Sequence, residues 1–165
     1  MSEEREPAPG PAFSDVFVPH EAADLLDAVA GVGRTIAALE GARARMIDQA
    51  FAWVRENQRA LRGARADDRL SRDILVSELA ALLRIASGSA ARLVDESRAL
   101  VADLPATLTA LGRGEISYDH ASVVVDNAGS LPEAARGAYE VAVLNDAVKL
   151  NVPRFRDRAD RKSVV

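Results

Sequence analysis

The chain has 165 residues, of which 48% are apolar but only 4% aromatic, and it carries a formal charge of −4 and no cysteine. The missing cysteines exclude disulfides and thiolate metal sites, and the acidic balance argues against a free-standing polyanion-binding protein. A core of Ala, Leu and Val suits close-packed helices better than a β-sandwich. Because no apolar run approaches the ~20 residues that span a bilayer, and residues 1–11 do not resemble a signal sequence, we expect a cytoplasmic location without membrane contact.

The N-terminal third predicts a tail followed by a long helix. Residues 1–17 are rich in Pro and Glu and have little to bury, which indicates a disordered tail. Apolar side chains then recur at steps of four and three, a pattern that predicts one helical stripe with a single polar member. The stripe consists of Leu25, Val29, Val32, Ile36, Leu39, Arg43, Met46 and Ala50. We expect a kink or break near Gly41, since glycine costs about 1 kcal/mol against alanine inside a helix.

Two features of this helix have more than one interpretation. Its repeated small residues would let another helix approach closely, which we interpret first as packing within the domain and second as an oligomer contact. Phe51, Trp53 and Met46 are either large pieces that close the helix against a bundle or a surface for a partner. We favour packing for both features.

The remainder of the chain predicts shorter helices separated by Ser, Pro and Gly signals. Expected helices run from Ile74 to Ala86, from a Ser87 cap to Val101, from Pro105 to Leu111, from a Ser117 cap to Ala128, from Pro132 to Val148, and onward from Pro153. No alternating strand pattern occurs. The fold class is therefore all-α: an irregular helical bundle over residues 18–159, with a long N-terminal helix and several short helices.

Five short motifs in this order resemble a known family. They are Glu78-Leu79-Ala80, Ser87, Ala90 to Leu100, Leu104-Pro105 and Ile116-Ser117-Tyr118-Asp119-His120-Ala121. The segment 74–158 is similar to the domain of unknown function two-two-two, also called the thirteen-E-twelve repeat family. The resemblance implies a helical domain without an established activity, which in many members precedes a C-terminal HNH nuclease module.

That nuclease module has no counterpart here. An HNH site needs one His as general base and a second His, with Asn or Asp, to hold the metal. The only histidines are His20 and His120, a hundred positions apart. His120 is better explained as part of a helix start beside Asp119 than as a ligand or base. We therefore expect no catalytic residue, metal, cofactor or small-molecule substrate in this chain.

The last six residues, 160–165, resemble the conceptual translation of a common sequencing adapter. We therefore expect that native sequence stops near Ala159 and that the parent gene is longer. A basic run overlaps this end: Arg154, Arg156, Arg158, Arg161 and Lys162. This run either contacts nucleic acid or forms a solvated chain end, and we favour the solvated end.

Two functional hypotheses remain. The leading one is the N-terminal accessory domain of an HNH-endonuclease-type protein that positions nucleic acid through its intact parent. A helix-turn-helix over Glu78–Ala102 would then place Arg84, Arg92 and Arg98 near DNA, although nearby carboxylates oppose phosphate binding and a plain helical hairpin fits equally well. The alternative is a non-enzymatic helical module for protein–protein interaction or homo-oligomerisation.

Overall fold

The computed structural model describes residues 20–62 and 67–163, with side chains described at 22–61 and 67–163. These residues form seven α-helices and no strand, which confirms the all-α prediction. The helices are α1 (His20–Arg62), α2 (Asp68–Leu83), α3 (Ser87–Ala102), α4 (Pro105–Gly112), α5 (Tyr118–Ala128), α6 (Glu133–Ala147) and α7 (Val152–Ser163). The predicted tail over 1–17 lies outside the described residues.

The chain divides into two compact units at Gly31. In the described part of the first unit, α1 exposes the large apolar side chains of Leu25, Leu26 and Val29. The second unit, from Val32 onward, holds the remainder of α1 and all other helices. The core described below belongs to this second unit.

Two apolar clusters form the core of the second unit. The larger cluster draws on α1 and on the five helices α3, α4, α5, α6 and α7. It is centred on Leu100, Leu111, Val124, Val143 and Phe155, whose exposed fractions are all 1% or less. The smaller cluster joins α1, α2 and α3. It contains Ile47, Phe51, Leu75, Val76, Ala90, Leu93 and Val94. The helix predicted from Ser87 to Val101 buries Ala90, Leu93, Val94 and Leu100 on one face, with Val101 half-buried.

Helix α1 packs through small residues where it meets α4 and through the larger Ile47 and Phe51 where it meets α2 and α3. Ala37, Ala44, Ile47 and Phe51 are at most 5% exposed, and between them a Cβ on Gly41 would lie 3.2 Å from the Gly112 backbone of α4. The glycine therefore permits close approach of two helices. The expected break at Gly41 does not occur, and α1 continues through it to Arg62.

The stripe predicted for α1 forms the helix but is not its buried face. Val32, Leu39 and Met46 are 59%, 64% and 67% exposed. Phe51 and Trp53 also differ in burial: Phe51 is buried as predicted, whereas Trp53 is 70% exposed. Packing was the favoured interpretation for Phe51, Trp53 and Met46. It is wrong for Trp53 and Met46, because only the neighbouring face of the helix meets α2 and α3.

The connection between α2 and α3 is a sharp three-residue turn. Arg84 ends α2 in the left-handed region with φ 56°, and its backbone N–H donates to the carbonyl oxygen of Ala80. Ser87 does not cap α3 as predicted: it is the first helical residue, and Ala86 takes the cap position without a side-chain hydrogen bond.

Within the described residues, no single helix is long and apolar enough to cross a bilayer. The pair α2 and α3 meets that criterion only when combined, with a bend of 118° between them.

A matched pair of glycine substitutions tests this packing. Gly114 has φ +68°, and an added Cβ would lie 2.8 Å from the Arg34 carbonyl oxygen, so Gly114→Ala should lower the free energy of unfolding by about 1–3 kcal/mol. Gly137 lies inside α6 with nothing within 4 Å of an added Cβ, so Gly137→Ala should raise that free energy by about 0.5–1 kcal/mol. Urea denaturation followed by circular dichroism measures both, and equal effects would contradict the described turn.

Candidate functional site

An open cleft of about 780 Å³ lies where α1, α3, α5 and α7 meet in the second unit. Its charged lining combines Arg43, Arg92 and Arg156 with Glu96 and Asp119. Apolar side chains from the end of α2, from α3 and from the start of α7 complete the wall. These are Leu83, Ile85, Leu93 and Val152. The cleft therefore brings the turn after α2 together with the Ser117–His120 motif.

A buried carboxylate organises the cleft. Glu96 is 5% exposed and accepts hydrogen bonds from the Tyr118 hydroxyl at 2.5 Å, the Ser122 hydroxyl at 2.6 Å and Arg92 Nε at 2.7 Å. Burial by itself raises the pKa of Glu96, but the bonds from Ser122, Tyr118 and Arg92 outweigh burial and hold this pKa below its usual value. Glu96 is therefore ionised at neutral pH and joins α3 to α5.

Tyr118 and Arg92 are fixed by the same carboxylate. Burial, with the adjacent Glu96 charge, raises the pKa of the Tyr118 phenol, so it remains a donor at neutral pH. The Arg43 guanidinium lies 5.7 Å from the Tyr118 ring centroid. Arg92 Nη2 also donates to Ser122 Oγ at 3.1 Å and contacts Asp126 Oδ2 at 3.4 Å. The network is internally satisfied, and it is chemically suited to hold helices together.

The three arginines predicted to contact nucleic acid lie in three different settings. Arg84 is exposed at the end of α2, and Arg92 is engaged with Glu96 in the cleft. The Arg98 guanidinium stacks 3.7 Å from the Phe51 ring centroid, in the smaller core cluster. Of the three, only Arg92 lines the cleft.

Sequence reasoning missed the other arginines of the cleft. Arg156 was assigned to a solvated end, and Arg43 was noted only as the polar member of the α1 stripe. That polar interruption was the available signal for Arg43. Nothing comparable marked Arg156, since its place in the cleft depends on how α7 folds back onto α5.

Acidic side chains on α3 are neutralised by arginines of neighbouring helices. Arg72 of α2 forms a bidentate pair with Asp95, with distances of 2.7 and 2.5 Å. Arg136 of α6 donates to Asp103 at 2.8 Å. These two pairs link α3 and its C-terminal cap residue Asp103 to α2 and α6, whereas Arg92 and Glu96 pair within α3 itself.

Comparison with known proteins identifies the family. A family model described as a domain of unknown function, DUF222, matches residues 26–162. The chain belongs to the DUF222 family. The match begins well before the segment 74–158 that carries the motifs. The part of α1 from Leu26 onward therefore also belongs to the DUF222 domain. No curated protein and no solved structure matches the chain significantly.

The histidine of the DUF222 motif is a structural bridge. His120 Nδ1 lies 2.8 Å from the Ser117 hydroxyl, and Nε2 lies 2.9 Å from the Leu150 carbonyl oxygen, to which it donates. Its ring packs against Phe155 with centroids 5.5 Å apart. The expectation that His120 belongs to a helix start is consistent with its place in the first turn of α5. Ser117 occupies the predicted cap position, but its hydroxyl bonds this histidine instead of a backbone N–H.

The end of the DUF222 domain is anchored through α7. Lys162 Nζ contacts Asp146 Oδ2 at 2.8 Å and donates to the Ala142 carbonyl oxygen at 2.6 Å, and Asn127 donates to Asp160 at 3.0 Å. Hydrogen bonds from Lys162 hold the pKa of Asp146 below its usual value. Residues 160–163 thus continue α7, whereas 164–165 lie outside the described residues; the adapter origin of 160–165 stays a prediction. Across 20–62 and 67–163, no three His, Asp or Glu side chains converge to hold a metal ion.

A pH-dependent measurement tests the Glu96 network. Because the folded pKa of Glu96 is lowered, its stabilisation is fully present above the unfolded value of about 4.3 and is lost as the pH falls through the folded pKa. Glu96→Gln should lower the free energy of unfolding by roughly 1–3 kcal/mol at pH 7, and the difference from the parent should shrink below about pH 4. The control is Glu78→Gln on the exposed side of α2; a deficit that is constant with pH, or shared by the control, would contradict the network.

A second substitution tests the histidine bridge. His120→Ala removes the hydrogen bonds to Ser117 and Leu150 and the contact with Phe155, and should cost roughly 2 kcal/mol of unfolding free energy. Asp119→Asn, at the exposed neighbouring position, should cost about 0.5 kcal/mol through the helix dipole. Thermal denaturation compares the two variants, and equal losses would show that His120 does not connect α5 to the loop before α7.

Proposed function

We propose that this DUF222 domain is a non-catalytic helical accessory domain of an HNH-endonuclease-type protein, and that its role is association between protein chains. Membership of the family supports the accessory role, since the family resemblance links such domains to HNH modules. The Glu96 network supports a structural interpretation of the cleft, because its donors and acceptors are satisfied by one another.

The observation that carries the association role is the exposed apolar side of α1. In the second unit, Val32, Ile36, Leu39, Met46 and Trp53 are between 55% and 70% exposed. Scattered exposed apolar residues are ordinary, but a contiguous set on one helix marks an interaction surface. Aromatic residues and Met are also enriched at protein interfaces.

Nucleic-acid positioning is the second candidate, favoured by the geometry of α2 and α3. A three-residue turn and a 118° bend fall within the range of helix-turn-helix units. The electrostatics of α3 weigh against it. Arg92 pairs with Glu96 and Arg98 stacks on Phe51, so two of the three candidate arginines are engaged within the protein, and phosphate binding requires available positive charge.

Two measurements on the full chain separate these candidates. Light scattering over a concentration series should give a mass above the 17.6 kDa of one chain, while a low-salt gel-shift titration with duplex DNA should show no retardation. A mass that stays at one chain would overturn the association role. Retardation that weakens with rising salt and is reduced by Arg84→Ala would favour the second candidate, and metal-dependent nicking would overturn the non-catalytic assignment.

A further inference from the structure

We propose that the partner of α1 is a second copy of this chain, and that the two α1 helices pack as a parallel, in-register, two-stranded coiled coil. This inference rests on the proposed association role and specifies the partner, the number of chains and the arrangement of the two helices. It follows from the spacing, exposure and chemistry of α1.

Large apolar residues recur on α1 at intervals of seven. In the second unit they are Val32, Leu39, Met46 and Trp53, with exposed fractions of 59%, 64%, 67% and 70%; in the sequence, Leu25 continues the same spacing. A seven-residue apolar repeat is the signature of a left-handed coiled coil, in which it forms one of the two core positions, a or d. The repeat spans four heptads, the length at which such a pattern indicates a coiled coil.

The second core position lies three residues before each member of the repeat. It is occupied by Val29, Ile36, Arg43 and Ala50. This assigns these four to position a and the seven-residue repeat to position d. Two β-branched residues at a, with Leu39 at d, are the combination that favours parallel dimers.

The fold of the chain itself does not account for this repeat. The buried side chains of α1 in the second unit are Ala37, Ala44, Ile47 and Phe51, none of which is at an a or d position. Of the assigned positions, only Ala50 and Arg43 at a contact the chain's own fold, and all members of the repeat at d are exposed. A partner that matches a seven-residue repeat must carry the same period on a helix of similar length. A second α1 satisfies this requirement because the repeat is self-complementary under two-fold symmetry.

The area available fits a stable dimer. Burying a large apolar side chain removes about 100 Å² from water, so the five such residues of the second unit, from Val32 to Trp53, would bury roughly 500 Å² on each chain. The total of about 1,000 Å² reaches the size at which a contact qualifies as a specific interface. The exposed stripe is therefore large enough to hold two copies together.

The positions that flank the repeat permit the parallel arrangement. In parallel register, position g of one helix faces position e of the next heptad of the other. In the second unit the facing pairs are Thr35–Glu40, Ala42–Ile47 and Gln49–Val54, of which Ile47 is buried within its own chain. No pair joins like charges, and small residues on the g side leave room for the body of the partner.

Arg43 is the single polar residue at an a position among those assigned. It forms an ion pair with Glu40 and lies over the Tyr118 ring, so its charge is compensated within its own chain. One polar residue in an otherwise apolar seam favours a single register and a low oligomer number, at some cost in stability.

A charge substitution with a matched control tests the surface. Leu39 and Val141 are 64% and 65% exposed, but only Leu39 lies in the repeat. Sedimentation equilibrium of the full chain should give the mass of two copies. Leu39→Glu should raise the dissociation constant of the dimer at least about a hundredfold, because two apolar contacts are lost. Val141→Glu should leave that constant unchanged. Circular dichroism confirms that both variants remain helical.

Disulfide trapping tests orientation, since the chain has no cysteine of its own. Val32→Cys should oxidise to a covalent dimer, because facing positions of a parallel, in-register pair approach within the 4–7 Å Cα separation that a disulfide requires. Val141→Cys, off the repeat, should not cross-link. If the helices were antiparallel about Leu39, Val32→Cys would instead cross-link to Met46→Cys in a mixture.

The outcomes separate this inference from the proposed function. A dimer indifferent to Leu39→Glu, a larger assembly, or the antiparallel cross-link would overturn the inference while association itself stands. A chain that remains monomeric at the highest concentration would overturn both. A monomer that instead binds lipid vesicles through Leu39 would assign the repeat to a membrane surface and also overturn the inference.

Discussion

Helix α1 carries two apolar faces, and the second unit of the chain covers only one of them. The covered face is built from small residues such as Ala37, Gly41 and Ala44, and Gly41 meets the Gly112 backbone so closely that an added Cβ would lie 3.2 Å away. The other face carries larger side chains, including Leu39 and Met46, and within the described residues nothing covers them. Since exposed apolar area is unfavourable in water, this imbalance is what the proposed association relieves.

The charged and polar groups at the centre of the domain, unlike the exposed apolar face of α1, find partners within the chain. An ionised carboxylate is costly to bury unless it is paired and hydrogen-bonded, and Glu96 meets this condition through three donors on α3 and α5. His120 provides a second tether by bonding Leu150 in the loop before α7. Helix α5 is thus held from two sides by residues of one motif, with Tyr118 reaching α3 and His120 reaching α7. This arrangement gives the motif a structural role, because its side chains tie α5 to α3 and to the segment before α7.

Much of the fold could be predicted from the sequence, because its signals are local. Pro105 begins α4 in the first turn and Ser117 lies at the cap position of α5, both as expected. The buried face of α1 could not be predicted in the same way. Both of its faces follow helical spacing, and volume alone favours placing Leu39 inside; the close approach of α4, a tertiary feature, requires the small residues instead.

The candidate site shows the same limit. Arg98 is a charged residue beside acidic neighbours, and its sequence context gives no sign that it stacks on Phe51, a contact between helices 47 positions apart. The pairing of Arg92 with Glu96 is different, since an i, i+4 pair on a helix is visible in sequence. Local pairs were therefore within reach of prediction, whereas contacts that depend on how α1 and α7 fold against α3 and α5 were not.

The central claim, that the uncovered face of α1 is buried by association, is tested most directly by the fluorescence of Trp53. It is the only tryptophan of the chain, it is 70% exposed, and it lies at the last position of the seven-residue repeat. The emission maximum should move to shorter wavelength as the protein is concentrated from the nanomolar to the micromolar range, because association removes the indole from water. An emission spectrum that is the same across this range, and characteristic of a solvent-exposed indole throughout, would contradict the account.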